Sequence, residues 1–504
     1  SKSLPDKAVK DLKSLRLDID TYRRLTYHLE SMLEGRNEIL LTPLGKDHNP
    51  DKILAEFDDV FKSRKHLMNN VLIDLELSNK AKYGPRSIEV PWSDRRDSLY
   101  SSFEHDTSKP EIDKKFYPKS NLRPLSKVNA MKLLKNDTNS GLPYYTRKSK
   151  VKERVLDKFD YLINRMDPCI LFTRTQEQRK TRNVWGYPIA DTLREAMYYF
   201  PLLEYQRKLV WRSAIVSPYE VNRNMDRIIR ESIRINGVIV SADFSLYDTT
   251  VRRNLQKFAF EYVKYLFQKQ CWDEIENIAI RFATIGILTP DGIISGWHGV
   301  PSGASFTNEI DSIVQYLVAI GLEFVRSEYI QIQGDDGVYL LRNKSEVEQL
   351  HKRFANCGLN LNREKSVEAS NYATYLQNLY HPDYVDANNV ISGVYPVYRA
   401  LCRLVFQERW SNFEDYGIEG KDYYSIRAIC IMENCKFHPL HKDLVKFVLS
   451  KDKYSLRSSD LGLRRYVQMM SDSKGAGGIL FNQYGDEVGG IRNFTTFKLI
   501  KELS

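Results

Sequence analysis

Asp335 and Asp336 stand side by side in IQIQGDDGVYLL, residues 330–341, between two strand-like flanks. Asp336-Gly337 favours a tight turn. A hairpin tip there would lift both carboxylates out of the sheet, within reach of a cation. An ordinary turn explains the tripeptide as well, because Asp and Gly are favoured turn residues. Typical residue usage yields Gly-Asp-Asp by chance in about one chain of this length in ten, so the tripeptide decides nothing alone. A second pair lies in SADFSLYDTTV. Asp243 follows a short buried strand at 238–240, and Asp248 opens the next helix. A carboxylate just past a strand end suits Mg²⁺, a hard cation that prefers oxygen ligands and substrate phosphates. Two such ions can activate an attacking hydroxyl and stabilise a leaving phosphate. Helix capping is the structural alternative for Asp248.

Between these pairs lies GVPSGASFTNEIDS, residues 299–312. Gly303 loosens the backbone before a helix, Ser302 offers a hydroxyl, and Thr307 and Asp311 share one helical face. Such a loop suits gripping a sugar or a phosphate. Capping by Ser302 or Ser305 is the plainer reading. Upstream, RTQEQRKTR sets Arg174, Arg179, Lys180 and Arg182 against one acid, Glu177. That strip would neutralise a polyphosphate. A solvated helix face is the alternative.

The elements that must position these groups are legible in outline. Val251, Leu255, Phe258, Ala259, Tyr262, Val263 and Leu266 recur at helical spacing. Thr289-Pro290-Asp291-Gly292 reads as a turn between two strands. A helix is expected over 305–325, with Phe306, Ile310, Ile313, Val314 and Leu317 on one face. A hairpin follows at 329–341, then a helix over 344–357 that Gly358 stops. Residues 1–120 are charged and mostly helical in pattern, and 121–237 are strongly basic. After 380 the pattern is helical up to a Gly-rich stretch at 475–490. Strands and helices without βαβ regularity argue for an α+β architecture.

Composition bounds the partners. The chain has 504 residues, 42% of them hydrophobic, enough for two to four domains or one multi-lobed unit. A net charge of +10 suits a polyanion, nucleic acid being the commonest, although Lys-rich surfaces also simply aid solubility. Six scattered cysteines, without a zinc-ligand pattern, fit a reducing compartment. The charged N-terminus is no signal peptide, and no apolar run approaches the roughly 20 residues that span a bilayer. A soluble protein is expected. The chain opens on Ser1 instead of Met, which suggests processing or an engineered start.

Order matters more than any single motif. Asp-x₄-Asp, then Ser-Gly-x₃-Thr, then Gly-Asp-Asp resembles palm motifs A, B and C of viral RNA-dependent RNA polymerases. CGLNLNREKS, residues 357–366, resembles motif D, with Lys365 where the family has its proposed general acid. TYLQNLY, residues 374–380, sits where motif E would lie. The basic strip resembles motif F. TNSGLP, residues 138–143, resembles motif G, whose Ser140, Gly141 and Pro143 would guide template RNA. GVYPVYRALCRL, residues 393–404, is similar to the start of the thumb in picobirnavirus and partitivirus polymerases, which serve segmented double-stranded RNA genomes. Asp311 replaces the sugar-sensing Asn of the picornavirus-like pattern, as expected for that group.

The resemblance implies a closed right hand. It would comprise an N-terminal extension linking fingers and thumb (1–120), fingers (121–237), palm (238–250 and 285–380), a helical insert (251–284) and thumb (381–504). It implies RNA-directed RNA synthesis from nucleoside triphosphates (NTPs) by two-metal-ion nucleotidyl transfer. Mg²⁺, or Mn²⁺ in its place, would be held by Asp243 and Asp335 with Asp336 in support. NTPs would meet Arg174, Arg179, Lys180, Arg182, Asp248, Ser302, Gly303, Thr307 and Asp311. Other expected partners are template and product RNA and a viral capsid protein, for a monomeric enzyme in the virion interior and host cytoplasm. The Gly-rich segment 473–490, with Phe481 and Tyr484, would form a thumb loop able to stack on the initiating nucleotide. Reverse transcriptases are the enzymatic rival, but they carry an aromatic residue where Gly334 stands and a bulky sugar-excluding one at Asp248. A non-catalytic RNA-packaging protein would leave the ordered acidic motifs as coincidence.

Overall fold

The computed structural model describes residues 3–479 and 488–504, with the side chains of 474–489 outside that description. Eight strands matter for the site: β1 (Cys169–Thr175), β2 (Thr181–Gly186), β3 (Val238–Ala242), β4 (Ile287–Thr289), β5 (Gly292–Ile294), β6 (Ile330–Gln333), β7 (Asp336–Leu341) and β8 (Val367–Ala369). Four helices matter with them: α1 (Arg253–Leu266), α2 (Thr307–Ile320), α3 (Lys344–Asn356) and α4 (Val397–Val405). The architecture is α+β, as the irregular alternation of elements predicts.

The central sheet has the order β8-β3-β7-β6, all antiparallel. Its strands are β-branched and aromatic, and side chains alternate between two faces. Val240, Tyr339 and Leu341 face a core shared with α1, α2 and α3. Ile239, Val338 and Leu340 face the other way, onto the helix Pro218–Ile235. Burial on both faces fixes the register, because a one-residue slip would exchange the two sets. In that register Ala242 lies opposite Gly337 and Gln333 opposite Asp336. Asp243, next after Ala242, therefore leaves the sheet beside the turn of the β6–β7 hairpin.

A second sheet has the order β2-β1-β4-β5. The basic strip is the tip of the β1–β2 hairpin, with Arg174 opposite Arg182, and not a helix face. Leu4, Ala8, Leu12, Leu25, Leu29 and Met32 pack behind this sheet with Cys169, Ile170, Leu171, Ile287 and Leu288. Ile53, Phe57, Phe61 and Leu72 belong to a different core, with α4 and the helices after residue 417. The N-terminal stretch thus contributes to two separate cores.

Three expectations shift. The two-residue turn is Gly334-Asp335, and Asp336-Gly337 opens β7 instead. Gly334 takes φ +62°, which only glycine adopts freely, and so serves as the first turn residue. Helix α2 runs only to Ile320, where Gly321 follows and a side chain would meet Arg353 at 2.8 Å. A helix, Asp460–Ile479, occupies the first part of the expected Gly-rich loop. Phe481 and Tyr484 lie outside the described residues. All six cysteines are buried thiols. Among the described residues no helix is long and apolar enough to cross a membrane.

Candidate active site

Asp243 and Asp335 both stand exposed at the same end of the central sheet. The backbone of Asp243 is held on both sides: its N–H donates to Ser366 Oγ at 3.0 Å, and its carbonyl accepts from Asn362 N–H at 2.7 Å. Both partners lie in the segment that carries Lys365. Partial loss of water, then the charges of Asp248 and Asp243, raise the Asp335 carboxyl above its ordinary range, and Arg182 pulls it back. Asp336 differs. It sits in β7, and its Oδ2 accepts from Leu376 N–H at 2.8 Å. Burial first, with Asp335 and Asp243 nearby, pushes its carboxyl up to about 7. The expected pair at the tip is therefore one projecting carboxylate and one anchored to the 374–380 turn.

Asp248 is not a helix cap, since Leu246 holds that position before Tyr247–Thr250. Its side chain accepts from Ser302 Oγ, and its carbonyl accepts from Val300 N–H at 2.8 Å. Asp311 is buried, with Oδ1 lacking a hydrogen-bond partner. Burial, then the charge of Asp248, raises Asp311 far above the carboxylate range.

Neither Ser302 nor Ser305 caps α2 with its side chain. Gly303 takes φ +135°, and a β-carbon there would lie 2.2 Å from the Trp185 carbonyl. Trp185 N–H donates to the Ser302 carbonyl at 2.7 Å, which stitches this loop to β2. Thr307 Oγ1 donates to the Pro301 carbonyl at 2.8 Å. The first amide of the helix, from Phe306, donates instead to Glu195, a buried carboxylate on Ile189–Gln206. Burial pushes Glu195 up to about 8, with Asp191 adding to it.

A pH prediction follows from Glu195. The folded value lies above the ordinary 4.5, so its contribution is complete below about pH 4.5 and is lost as pH rises through about 8. Glu195→Gln removes the titration. Denaturant midpoints of the two proteins should agree near pH 4.5, the variant becoming the more stable toward pH 9. A constant gap across that range would refute the assignment.

Arg174, Arg179, Lys180 and Arg182 are all exposed on the hairpin, while Glu177 turns inward. Glu177 lies 3.6 Å from Arg86 and 3.5 Å from Arg399. Arg174 also faces a cavity of about 390 Å³ lined by Arg86, Arg399, Arg403, Arg409 and Arg427. Burial pulls Arg427 below the ordinary guanidinium range, with Arg403 and Arg86 adding to that. Arg399 and Arg403 share α4, but Arg86, Arg409 and Arg427 come from separate segments, so no local pattern marks the set. Lys365 is exposed, and its charge, like that of Lys180, acts on the amine of Lys82, which burial already lowers.

Ser140 and Gly141, two of the residues expected to guide template RNA, are buried. The Ser140 carbonyl accepts from Ile189 N–H at 2.9 Å, and its Oγ accepts from Thr146 N–H at 3.2 Å. They shape the loop, and Pro143 is its half-buried member.

The donor set suits a hard divalent cation. Burial and the neighbouring charges of Asp248 and Asp243 raise the proton affinity of Asp335, and those of Asp335 and Asp243 that of Asp336, so a bound cation would relieve real repulsion. Among the described residues no group of three His, Cys, Asp or Glu side chains closes into a metal cage.

Comparison with known proteins agrees with this geometry. The viral RNA-dependent RNA polymerase family matches residues 49–411. A potential RNA-dependent RNA polymerase of human picobirnavirus (strain Human/Thailand/Hy005102/-) is 28% identical over 466 residues, 86% of each chain. An RNA-directed RNA polymerase of Cryptosporidium parvum virus 1 (strain KSU-1) is 25% identical over 285 residues, 51% of this chain and 53% of that one. The crystal structure of a human picobirnavirus RNA-dependent RNA polymerase superposes with a TM-score of 0.81 at 24% identity, covering all of both chains. Its insertion-loop deletion mutant also gives 0.81, at 25% identity. With motifs A to C on one sheet end and the whole chain matched in fold, this protein belongs to the viral RNA-dependent RNA polymerases, on their picobirnavirus-like side.

Proposed function

We propose that RNA synthesis takes place at Asp243 and Asp335, with divalent ions shared between these carboxylates and the NTP phosphates. The observation that carries this is the register of β3 against β7, Ala242 opposite Gly337, which sets Asp243 beside the Gly334-Asp335 turn. Mg²⁺ bound there, or Mn²⁺ in its place, would activate the primer 3′-hydroxyl and neutralise the departing pyrophosphate. Asp336, tied to Leu376, holds the turn from behind. The hairpin cations and the arginine-lined cavity receive the triphosphate, in a reaction where positioning and charge neutralisation supply most of the catalysis. Asp248 accepts from the ribose, with the Ser302 hydroxyl and the buried Asp311 beside it. Lys365, exposed in the segment that resembles motif D, is the proposed acid for the departing pyrophosphate.

In this reading residues 121–237 are fingers, 238–250 and 285–380 palm, 251–284 an insert and 381–504 thumb. Residues 1–120 join fingers to thumb, supported by their shares in two separate cores. A capsid protein, the virion interior and the host cytoplasm follow from the likeness to picobirnavirus and are tested by co-purification with particles.

The deciding experiment is extension on a defined single-stranded RNA template, with and without primer. Incorporation should require Mg²⁺, stop with chelator, resume on adding the ion back, and favour NTPs over deoxynucleotides. Metal-independent synthesis would overturn the proposal. Binding to RNA should weaken steeply with salt, since backbone contacts dominate.

A further inference from the structure

Gln315 is buried in the middle of α2, where an apolar residue would be the ordinary occupant. A buried amide is costly unless its hydrogen bonds are made. Here they are. Gln315 Nε2 donates to the Gly334 carbonyl at 2.9 Å, and Oε1 accepts from the Tyr339 hydroxyl of β7 at 2.6 Å. One turn earlier, Ser312 Oγ accepts from Gly334 N–H at 2.7 Å and donates to the Asn308 carbonyl at 2.7 Å. Both backbone groups of Gly334 are thus held by side chains of one helix. Gly337 completes the fit: a β-carbon there would lie 1.9 Å from Gln315 Oε1.

Gly334 precedes Asp335, so its two peptide groups set where that carboxylate points. The same helix carries Thr307 and Asp311 at its start, and Tyr247, the neighbour of Asp248, donates its hydroxyl to the Asp311 carbonyl at 2.7 Å. We propose that Gln315 and Ser312 are positioning residues that fix the Asp335 turn to the sugar-reading helix. Ribose recognition at Asp248 and Asp311 is then expressed in the rate of bond formation and not in the tightness of NTP binding. The inference rests on the roles proposed above for Asp335, Asp248 and Asp311. Its physical basis is that an interaction realised only in the transition state raises the rate constant, and that a misplacement of about 1 Å costs about 10²-fold.

The test uses Gln315→Met, which keeps the volume and removes the amide, and Ser312→Ala, a smaller change. Single-turnover incorporation of an NTP and of the matching 2′-deoxynucleotide gives a rate constant and an apparent affinity for each. In both variants the ribonucleotide rate should fall about 10–100-fold with its apparent affinity within about threefold. The deoxynucleotide rate should fall less, so that discrimination between the sugars shrinks. Equal slowing of both sugars, or a loss confined to affinity, overturns the proposal. Melting and RNA binding report folding, and if Gln315→Met does not fold, Ser312→Ala decides. Asp335→Asn separates the two readings. Activity in that variant removes the metal assignment, whereas an inactive Asp335→Asn with equal slowing of both sugars removes only the coupling.

Discussion

Asp335→Asn lowers nucleotide incorporation by about 10³-fold or more, the scale of losing a charge that acts in the transition state. RNA binding stays within about twofold, because phosphate contacts carry most of that affinity. The amide has the shape of the carboxylate but not its charge, and a neutral amide oxygen holds a divalent cation more weakly than a carboxylate does. Stability should not suffer. Asp335 is exposed, and Asp248 and Asp243 raise its proton affinity, so removing its charge relieves repulsion. The melting temperature should hold or rise slightly. Primer extension, fluorescence-detected RNA binding and thermal melting on one preparation give all three readings. Full extension by the variant in Mg²⁺ would end the assignment. Loss of activity together with collapse of the fold would instead mean that the turn was destabilised.

The parts of the site visible in the sequence are those carried by short local segments. Asp243 past a β-branched strand, Gly-Asp-Asp between strand-like flanks and Ser302-Gly303 before an apolar helix each follow from neighbours in the chain. Even there, choosing between Gly334-Asp335 and Asp336-Gly337 for the turn needs the partner strand, since both dipeptides favour turns. The hidden parts are long-range. Glu195 capping α2, Leu376 holding Asp336, and Arg86 beside Arg399 and Arg427 join residues far apart in the chain. The raised proton affinity of Asp311 is hidden for the same reason, since its causes are burial and the charge of Asp248.

Arg212→Met has the largest expected effect on stability, about 3–5 kcal/mol, the usual cost of breaking a buried ion pair from one side. Arg212 and Glu309 are fully buried and paired. Arg212 also donates to the Ile332 carbonyl at 2.6 Å and to Gln333 Oε1 at 2.5 Å, at the end of β6 just before Gly334. Without the guanidinium, Glu309 keeps only two long neutral donors, Gln206 Nε2 at 3.4 Å and Asn308 Nδ2 at 3.3 Å, and must take up a proton or remain charged in the core. A lower denaturant midpoint and lost hydrogen-exchange protection in β6 and α2 would report the damage. The double variant Arg212→Met with Glu309→Leu replaces both charges by apolar groups, which is often neutral for stability. It should recover most of the lost midpoint, a non-additivity expected of groups in contact. Activity should not recover with it, because the donors to Ile332 and Gln333 are still missing ahead of the Asp335 turn. Stability and rate would then separate in one cycle. A double variant no more stable than Arg212→Met would show that the pair is not the source of the loss, and full recovery of activity would show that Arg212 only balances Glu309 and does not hold β6 in place.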